Sequence, residues 1–192
     1  MRVSFHENAW NAQDFSYAYS PLFADRPTFV QEADGIVNER TADGKFTYVS
    51  LLTNRTFSTG SLLKTRCSFE AYGAPLLVFT DDVREGPQGE LLFGLHYEVV
   101  AYEGGVNVWR LDPVDGSIRP YNLLRQAFAV PPGKLLTLAV QIMESELRIS
   151  LDDTHFTLPV EGLPPSFRAG ITACEGINRF TEFCVESDNG SI

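Results

Sequence analysis

The chain has few cysteines, no long apolar run and little helical periodicity. Its three cysteines, Cys67, Cys174 and Cys184, are too few for a disulfide-stapled scaffold, and no C-x-x-C pair is present for zinc. We expect reduced, mostly buried thiols, with one optional bridge between Cys174 and Cys184 across a hairpin. No stretch approaches the roughly 18 to 20 consecutive apolar residues of a membrane-spanning helix.

The motifs of several enzyme classes are also missing. The sequence contains no G-x-S-x-G elbow, no P-loop and no dinucleotide glycine fingerprint, which argues against acyl transfer, nucleotide hydrolysis and hydride transfer. The histidines lack metal-ligand spacing. Asp81, Asp82 and Glu85 are a weak calcium candidate because they lack the ordered oxygen spacing of a dedicated loop. The sequence therefore predicts no cofactor and no metal.

Positive charge is scarce, since 15 Lys and Arg face 25 Asp and Glu and give a formal charge of −10. Such a surface repels phosphates, so nucleic acid and anionic membranes are poor partners. The start, MRVSFHENAW, has no apolar h-region behind its single Arg, which predicts a cytoplasmic protein unless a signal peptide was removed. A chain of 192 residues that is 44% hydrophobic predicts one domain over residues 1–192.

What the sequence does contain is a period of two. Residues 61–71 alternate apolar and polar side chains, which is typical of a half-buried strand. The same period recurs at 46–53, 91–102, 106–111, 135–144, 146–151 and 180–185. The apolar run 75–80 indicates a strand covered on both faces. Only 8–19 and 122–128 suggest a helical turn or two, so we predict an all-β sandwich of two antiparallel sheets.

One strand pair carries the candidate binding groups. The segment GLHYEVVAYEGGVNVWRL, residues 94–111, reads as two alternating runs around a Glu-Gly-Gly turn. A two-residue turn places Tyr97, Val99, Ala101, Val106, Val108 and Arg110 on one side of the hairpin. His96, Glu98, Asn107 and Trp109 then share the other side. An indole covers the C–H face of a pyranose while the polar groups meet its hydroxyls, so this side predicts a sugar-binding surface.

Two further groups of residues are candidates for the same surface. Arg66 and Glu70, on the polar face of another strand, would extend it. Glu175, Asn178 and Arg179 lie in a predicted loop between the last strands, where the rim of a sandwich collects binding groups. The alternative for this loop is a solvated polar turn.

The hairpin also has a plainer interpretation. Trp109 would pack beneath a loop, and His96 and Glu98 would form a satisfied polar pair without any ligand. A single aromatic residue at the centre of a strand is often there for packing.

The C-terminal half resembles a known superfamily. LLTLAVQIMESELRISLDDTHFTLP at 135–159 gives a long strand, a turn, a strand and a second turn. FRAGITACEGINRFTEFCVE at 167–186 follows, with Gly170 opening one strand and Arg179 starting the closing strand. This order resembles the end of concanavalin A-like lectin/glucanase domains, including the laminin G-like branch, and 94–111 is similar to their central hairpin. The resemblance spans about 45–186 and implies a jelly roll whose concave sheet often holds saccharides.

The leading hypothesis is a noncatalytic, lectin-like domain that holds an oligosaccharide on the concave sheet. A second is a glycoside hydrolase or lyase with Glu98 as acid or base and a second carboxylate nearby, although the Glu-x-Asp-x-Glu strand of the retaining glucanases is absent. A third is an interaction subunit, including self-association, in which N-terminal aromatic residues cover a partner. These residues are Trp10, Phe15, Tyr17, Tyr19 and Phe23. Otherwise residues 1–25 form a strap that closes a sheet edge of their own domain.

Overall fold

The computed structural model describes residues 1–21, 25–38, 48–70, 72–114 and 117–187. These residues are 67% β-strand and 2% helical, which confirms the predicted all-β fold class. Helical structure among them is limited to one 3₁₀ turn at Ala12–Asp14, where the Asn11 side chain accepts a hydrogen bond from the Gln13 amide. None of the helical structure in this part of the chain is long enough to cross a membrane.

The strands run in chain order with short connections. They are β1 Arg2–Ser4, β2 Phe15–Tyr19, β3 Phe29–Glu32, β4 Gly35–Asn38, β5 Tyr48–Ser58, β6 Leu62–Glu70, β7 Ala74–Thr80, β8 Val83–Glu85, β9 Leu91–Phe93, β10 His96–Tyr102, β11 Gly105–Val114, β12 Ser117–Ala127, β13 Leu136–Ile142, β14 Glu146–Leu151, β15 Thr154–Pro159, β16 Ser166–Cys174 and β17 Ile177–Glu186.

The strands form two sheets that pack face to face. Sheet A has the order β15-β14-β13-β6-β17-β4-β3, with β1 also paired to β17. Sheet B has the order β12-β11-β10-β7-β16-β5-β2-β9-β8. Among the strands that the structure describes, each pairing is antiparallel except that of β2 with β9. Consecutive strands β16 and β17 belong to different sheets, and such crossings turn a stack of hairpins into a jelly roll.

The main core lies between the sheets and follows the period of two. Leu63 and Phe180 from sheet A meet Leu77 and Val99 from sheet B, and all four are essentially inaccessible to solvent. A second, smaller apolar cluster lies on the other face of sheet B, and we call it the outer cluster. It is built on Ala18, Leu52, Ala74, Leu76, Val78, Phe93 and Val100. Strand β7 contributes to both clusters, which confirms a strand covered on both faces.

The segment 122–128 is not helical. Residues 122–127 belong to β12, which pairs with β11 along its length. The register shifts between Val108 and Trp109, and at this bulge the neighbouring Leu123 and Leu124 both pack against the main core. Two consecutive leucines that face the core break the alternation of a strand. In the sequence this break resembles the spacing of a helix, which explains the wrong prediction.

The N-terminal segment packs within its own domain. Strand β1 pairs with β17 in sheet A, while β2 pairs with β5 in sheet B. Phe15 is buried with its ring 6.1 Å from that of Phe183, and Trp10 lies 5.9 Å from Phe15. The segment therefore contributes strands to both sheets rather than only closing one edge. Phe23 lies outside the described residues.

The cysteines are distributed over both sheets. Cys174 ends β16 in sheet B and pairs with Ala74, whereas Cys184 lies in β17 of sheet A and pairs with Lys64. They do not face each other across a hairpin, and all three thiols are free. Burial raises the pKa of the Cys67 thiol to about 12, so this side chain stays neutral inside the core.

Candidate functional site

The hairpin of β10 and β11 forms one wall of a cleft on the outer face of sheet B. Tyr102 pairs with Gly105, so the turn has two residues, Glu103 and Gly104. Gly105 has φ +127°, and a Cβ there would lie 2.1 Å from the backbone oxygen of Gln126, so the tight approach of β12 requires glycine. The pairing confirms the predicted parity.

The predicted side chains meet across this pairing. Glu98 lies opposite Trp109, and Asn107 lies opposite Val100, all on the face that carries the outer cluster. The cleft has a volume of about 310 Å³. Its polar and aromatic lining residues include Glu98, Tyr102, Glu103, Asn107, Trp109 and Glu175.

Glu98 is the central polar group of the cleft. The residue is only 6% exposed, yet it lines the cavity. Its Oε1 accepts a hydrogen bond from the hydroxyl of Tyr48. Burial, reinforced by the neighbouring Glu98, raises the pKa of Tyr48 well above its ordinary value. Tyr48 therefore remains a protonated donor and holds the carboxylate in place.

His96 supports this arrangement from inside the sheet. Its ring is fully buried and stacks on Phe93 at a centroid distance of 4.6 Å. Nδ1 donates to the carbonyl oxygen of Gly94 at 2.8 Å. Nε2 lies 3.5 Å from Glu98 Oε1. With no exposed surface, His96 does not reach a ligand directly, contrary to the prediction that it meets a sugar hydroxyl.

Asn107 and Trp109 form the β11 side of the cleft. The Oδ1 atom of Asn107 is buried and has no hydrogen-bond partner among the described residues. Trp109 is half-buried and packs against the outer cluster, as the plainer interpretation of the hairpin expected, but it also lines the cavity. On β12, Arg125 pairs with Asn107 and Asn122 with Trp109, which places two exposed polar side chains beside this wall.

The residues predicted at the last loop separate into different roles. Glu175 has φ +56° in the turn between β16 and β17 and lines the cleft. Asn178 is fully buried, and its Nδ2 donates to the carbonyl oxygen of Glu175 at 2.7 Å. Asn178 therefore fixes the turn. Arg179 is bound to Glu32 at 2.5 Å and to Asp34 at 2.9 Å on sheet A, so it does not join the cleft.

Arg66 and Glu70 do not extend the hairpin surface. Both lie on β6 of sheet A and are exposed on the opposite side of the sandwich. Arg66 Nη1 pairs with the Glu182 carboxylate at 3.4 Å. The alternation of β6 correctly predicted their exposure but carries no information about which sheet the strand joins.

Sequence reasoning missed Tyr48 and Glu103. Tyr48 begins β5 and lies 50 positions from Glu98 in the chain. No local pattern marks a tyrosine at the start of a strand as the partner of a distant carboxylate. Glu103 was noted only as a turn residue, although a turn at the end of a cleft wall also lines the cleft.

No family model and no curated protein matches the sequence. Several solved structures are similar in three dimensions. The carbohydrate binding module CBM66 from Bacillus subtilis is 13% identical with a TM-score of 0.65, over 84% of this chain and 92% of that one. A Bacteroides ovatus GH16 protein of a mixed linkage glucan locus, in complex with a G4G4G3G product, is 10% identical with a TM-score of 0.63, over 97% and 99%. A Bacillus subtilis protein with a galectin-like fold is 10% identical with a TM-score of 0.66, over 97% and 94%.

At this level of identity the similarity concerns the fold. It extends over nearly the whole chain, which agrees with the observed sheet order and with the order of strands and turns predicted for residues 135–186. The chain therefore has a concanavalin A-like jelly-roll fold.

Proposed function

We propose that the chain binds a saccharide, without cleaving it, in the cleft on the outer face of sheet B. The supporting observation is Glu98, a carboxylate that is 6% exposed on the floor of a cleft lined by aromatic rings. Burying a charged group costs free energy unless its hydrogen-bonding capacity is used. Tyr48 uses part of that capacity, and hydroxyl donors of a sugar would use more.

The neighbouring groups suit the same ligand. The Trp109 indole offers an apolar surface to the C–H face of a pyranose. The unpartnered Oδ1 of Asn107 is an acceptor for a hydroxyl group. The similar solved structures include a carbohydrate binding module and a GH16 protein with a bound product, which supports a glycan-related function.

Calorimetric titration against a panel of oligosaccharides tests the proposal. We expect Trp109→Ala and Asn107→Ala each to weaken binding by about tenfold or more, equivalent to about 1.4 kcal/mol. Tyr121→Ala is the matched control, because Tyr121 is an exposed aromatic residue of sheet B that does not line the cleft. Unchanged affinity in both cleft variants, or no binding to any member of the panel, would contradict the proposal.

Glycoside hydrolysis is the second candidate because Glu98, Glu103 and Glu175 line the same cleft. Hydrolysis needs two carboxyl groups on either side of the scissile bond. Glu98 would be the acid or base, and one of the other two would be its partner. Turnover of chromogenic glycosides that disappears in Glu98→Gln would favour this function, whereas a binding domain shows no turnover in either form.

The lyase form of this hypothesis has less support. Elimination from a uronate requires the sugar carboxylate to be neutralised, and cationic side chains usually do this. Among the described lining residues of the cleft, the charged groups are all carboxylates.

A further inference from the structure

We infer that the saccharide bound in this cleft carries a protonated amine, as a hexosamine with a free amino group does. The inference rests on the proposed function and assigns the chemical class of its ligand. It follows from the charge of the lining groups and from their unused hydrogen-bonding capacity.

The first observation is the sign of the charge. Glu98, Glu103 and Glu175 line the cleft, and no Lys, Arg or His is found among its described lining residues. Two nearby arginines do not line the cleft: Arg110 pairs with Asp112 at 2.8 Å, and Arg125 lies beside the wall on β12, opposite Asn107. An anionic sugar would meet three carboxylates and no cationic side chain among the lining residues, whereas an ammonium group would be attracted by all three carboxylates.

The second observation is the excess of acceptors. Carboxylates accept hydrogen bonds and do not donate them. Asn107 adds a buried Oδ1 atom that has no partner among the described residues. An ammonium group supplies three donors at one point, so a single substituent satisfies acceptors that separate hydroxyls would have to meet one by one.

The third observation is the way Glu98 is held. Tyr48 donates to Oε1, and His96 Nε2 lies 3.5 Å from the same oxygen. The Tyr48 hydroxyl is uncharged, and among the described residues no Lys or Arg forms an ion pair with Glu98. An ammonium group of the ligand would provide a cationic partner for this carboxylate.

The test is calorimetric titration of the whole chain with three tetramers that differ in charge. These are a glucosamine tetramer, its fully N-acetylated form and a galacturonate tetramer, at pH 6 and low ionic strength. We expect the amine tetramer to bind about tenfold more tightly than the acetylated one, and the uronate tetramer not to bind. The advantage of the amine should shrink in 0.5 M salt, because screening shortens the range of the attraction.

Conservative variants locate the effect. Glu103→Gln and Glu175→Gln each keep the shape of the side chain, and each should reduce the advantage of the amine severalfold with little change for the acetylated tetramer. Glu161→Gln is the matched control, since Glu161 is an exposed glutamate that does not line the cleft. Thermal melting of each variant checks that the fold is retained.

The outcomes separate the two proposals. Equal or tighter binding of the acetylated tetramer, lost in Trp109→Ala, overturns the amine inference and leaves saccharide binding in place. If binding of the amine tetramer is unchanged in Trp109→Ala, Glu103→Gln and Glu175→Gln, it is adsorption to the protein surface. That result overturns the inference as well. Failure of all three tetramers together with a neutral panel overturns the proposed function.

Discussion

The outer faces of the two sheets differ in how far their side chains are exposed to water. On sheet A the polar side chains are exposed and paired with one another, as in Lys64 with Glu186 at 3.6 Å and Arg148 with Glu146 at 2.7 Å. These pairs remain in contact with water, so they cost little to form and contribute little to stability. Apolar side chains of sheet A face the main core instead.

On sheet B the part of the outer face that carries the outer cluster is removed from water. Val78 and Leu52 are fully buried there, and the hydroxyls of Ser50 and Thr172 form a buried hydrogen bond of 2.7 Å. Part of the cover comes from the chain itself, since Phe93 of β9 packs into the outer cluster. Glu98 remains at the open part of this face.

The difference indicates which face is expected to carry a functional site. A polar group costs most where water is excluded, so it is retained there only with well-placed partners. The hydrogen bond from Tyr48 to Glu98 meets that condition, whereas the pairs on sheet A can be exchanged for water. The comparison yields three predictions of decreasing size.

The largest expected effect is a loss of stability at alkaline pH. Burial is the main cause that raises the pKa of Tyr48 and of the Cys174 thiol, and it raises the pKa of Cys67 to about 12. Below the ordinary pKa values these groups are protonated in both states. Above about pH 9 the unfolded chain releases protons that the folded chain keeps, so the free energy of unfolding falls as pH rises, by up to about 1.4 kcal/mol per pH unit for each group.

Urea unfolding at pH 8 to 11 measures this slope. Cys174→Ala should make it shallower. The matched variant on sheet A is Cys184→Ala, where Lys64 opposes the rise of the thiol pKa that burial and Glu186 cause, so it should change the slope less. An identical slope in both variants would mean that the pKa of the Cys174 thiol is not raised more than that of the Cys184 thiol.

The second prediction concerns the hydroxyl that holds Glu98. Tyr48→Phe removes this donor and leaves a buried carboxylate oxygen with one partner fewer. We expect the free energy of unfolding at pH 7 to fall by about 1 to 3 kcal/mol. Urea unfolding with Tyr121→Phe as control checks it, because Tyr121 is 45% exposed on β12. A loss no larger than that of the control would show that the Tyr48 hydroxyl is not needed to keep the carboxylate in place.

Local patterns were sufficient for the hairpin but not for its surroundings. The strict alternation of 94–111 and a two-residue turn fix which side chains share a face, and the observed pairing of Glu98 with Trp109 follows from them. The period also predicted the burial of 75–80 on both faces. The same reasoning failed at 122–128, since a bulge changes the parity within the strand.

The remaining wrong or missing predictions depend on the order of the strands in the sheets, which is set by residues far apart in the sequence. Strand β6 could have joined either sheet, and its place beside β17 put Arg66 and Glu70 on the far side from the cleft. Tyr48 of β5 bonds to Glu98 of β10 although β16 and β7 lie between these two strands in sheet B. The alternation of residues along a strand predicts which face a side chain lies on, but it does not predict which strand pairs beside its own.

The smallest expected effect lies on sheet A. Lys64→Gln removes an ion pair with Glu186 in which both side chains are at least 36% exposed, so the two ions are hydrated whether or not they meet. We expect the free energy of unfolding to change by no more than about 0.5 kcal/mol, and the change to vanish in 0.5 M salt. Urea unfolding at two salt concentrations measures both. A salt-resistant loss as large as that of Tyr48→Phe would mean that this pair is shielded from water, and burial would then no longer distinguish the outer face of sheet A from that of sheet B.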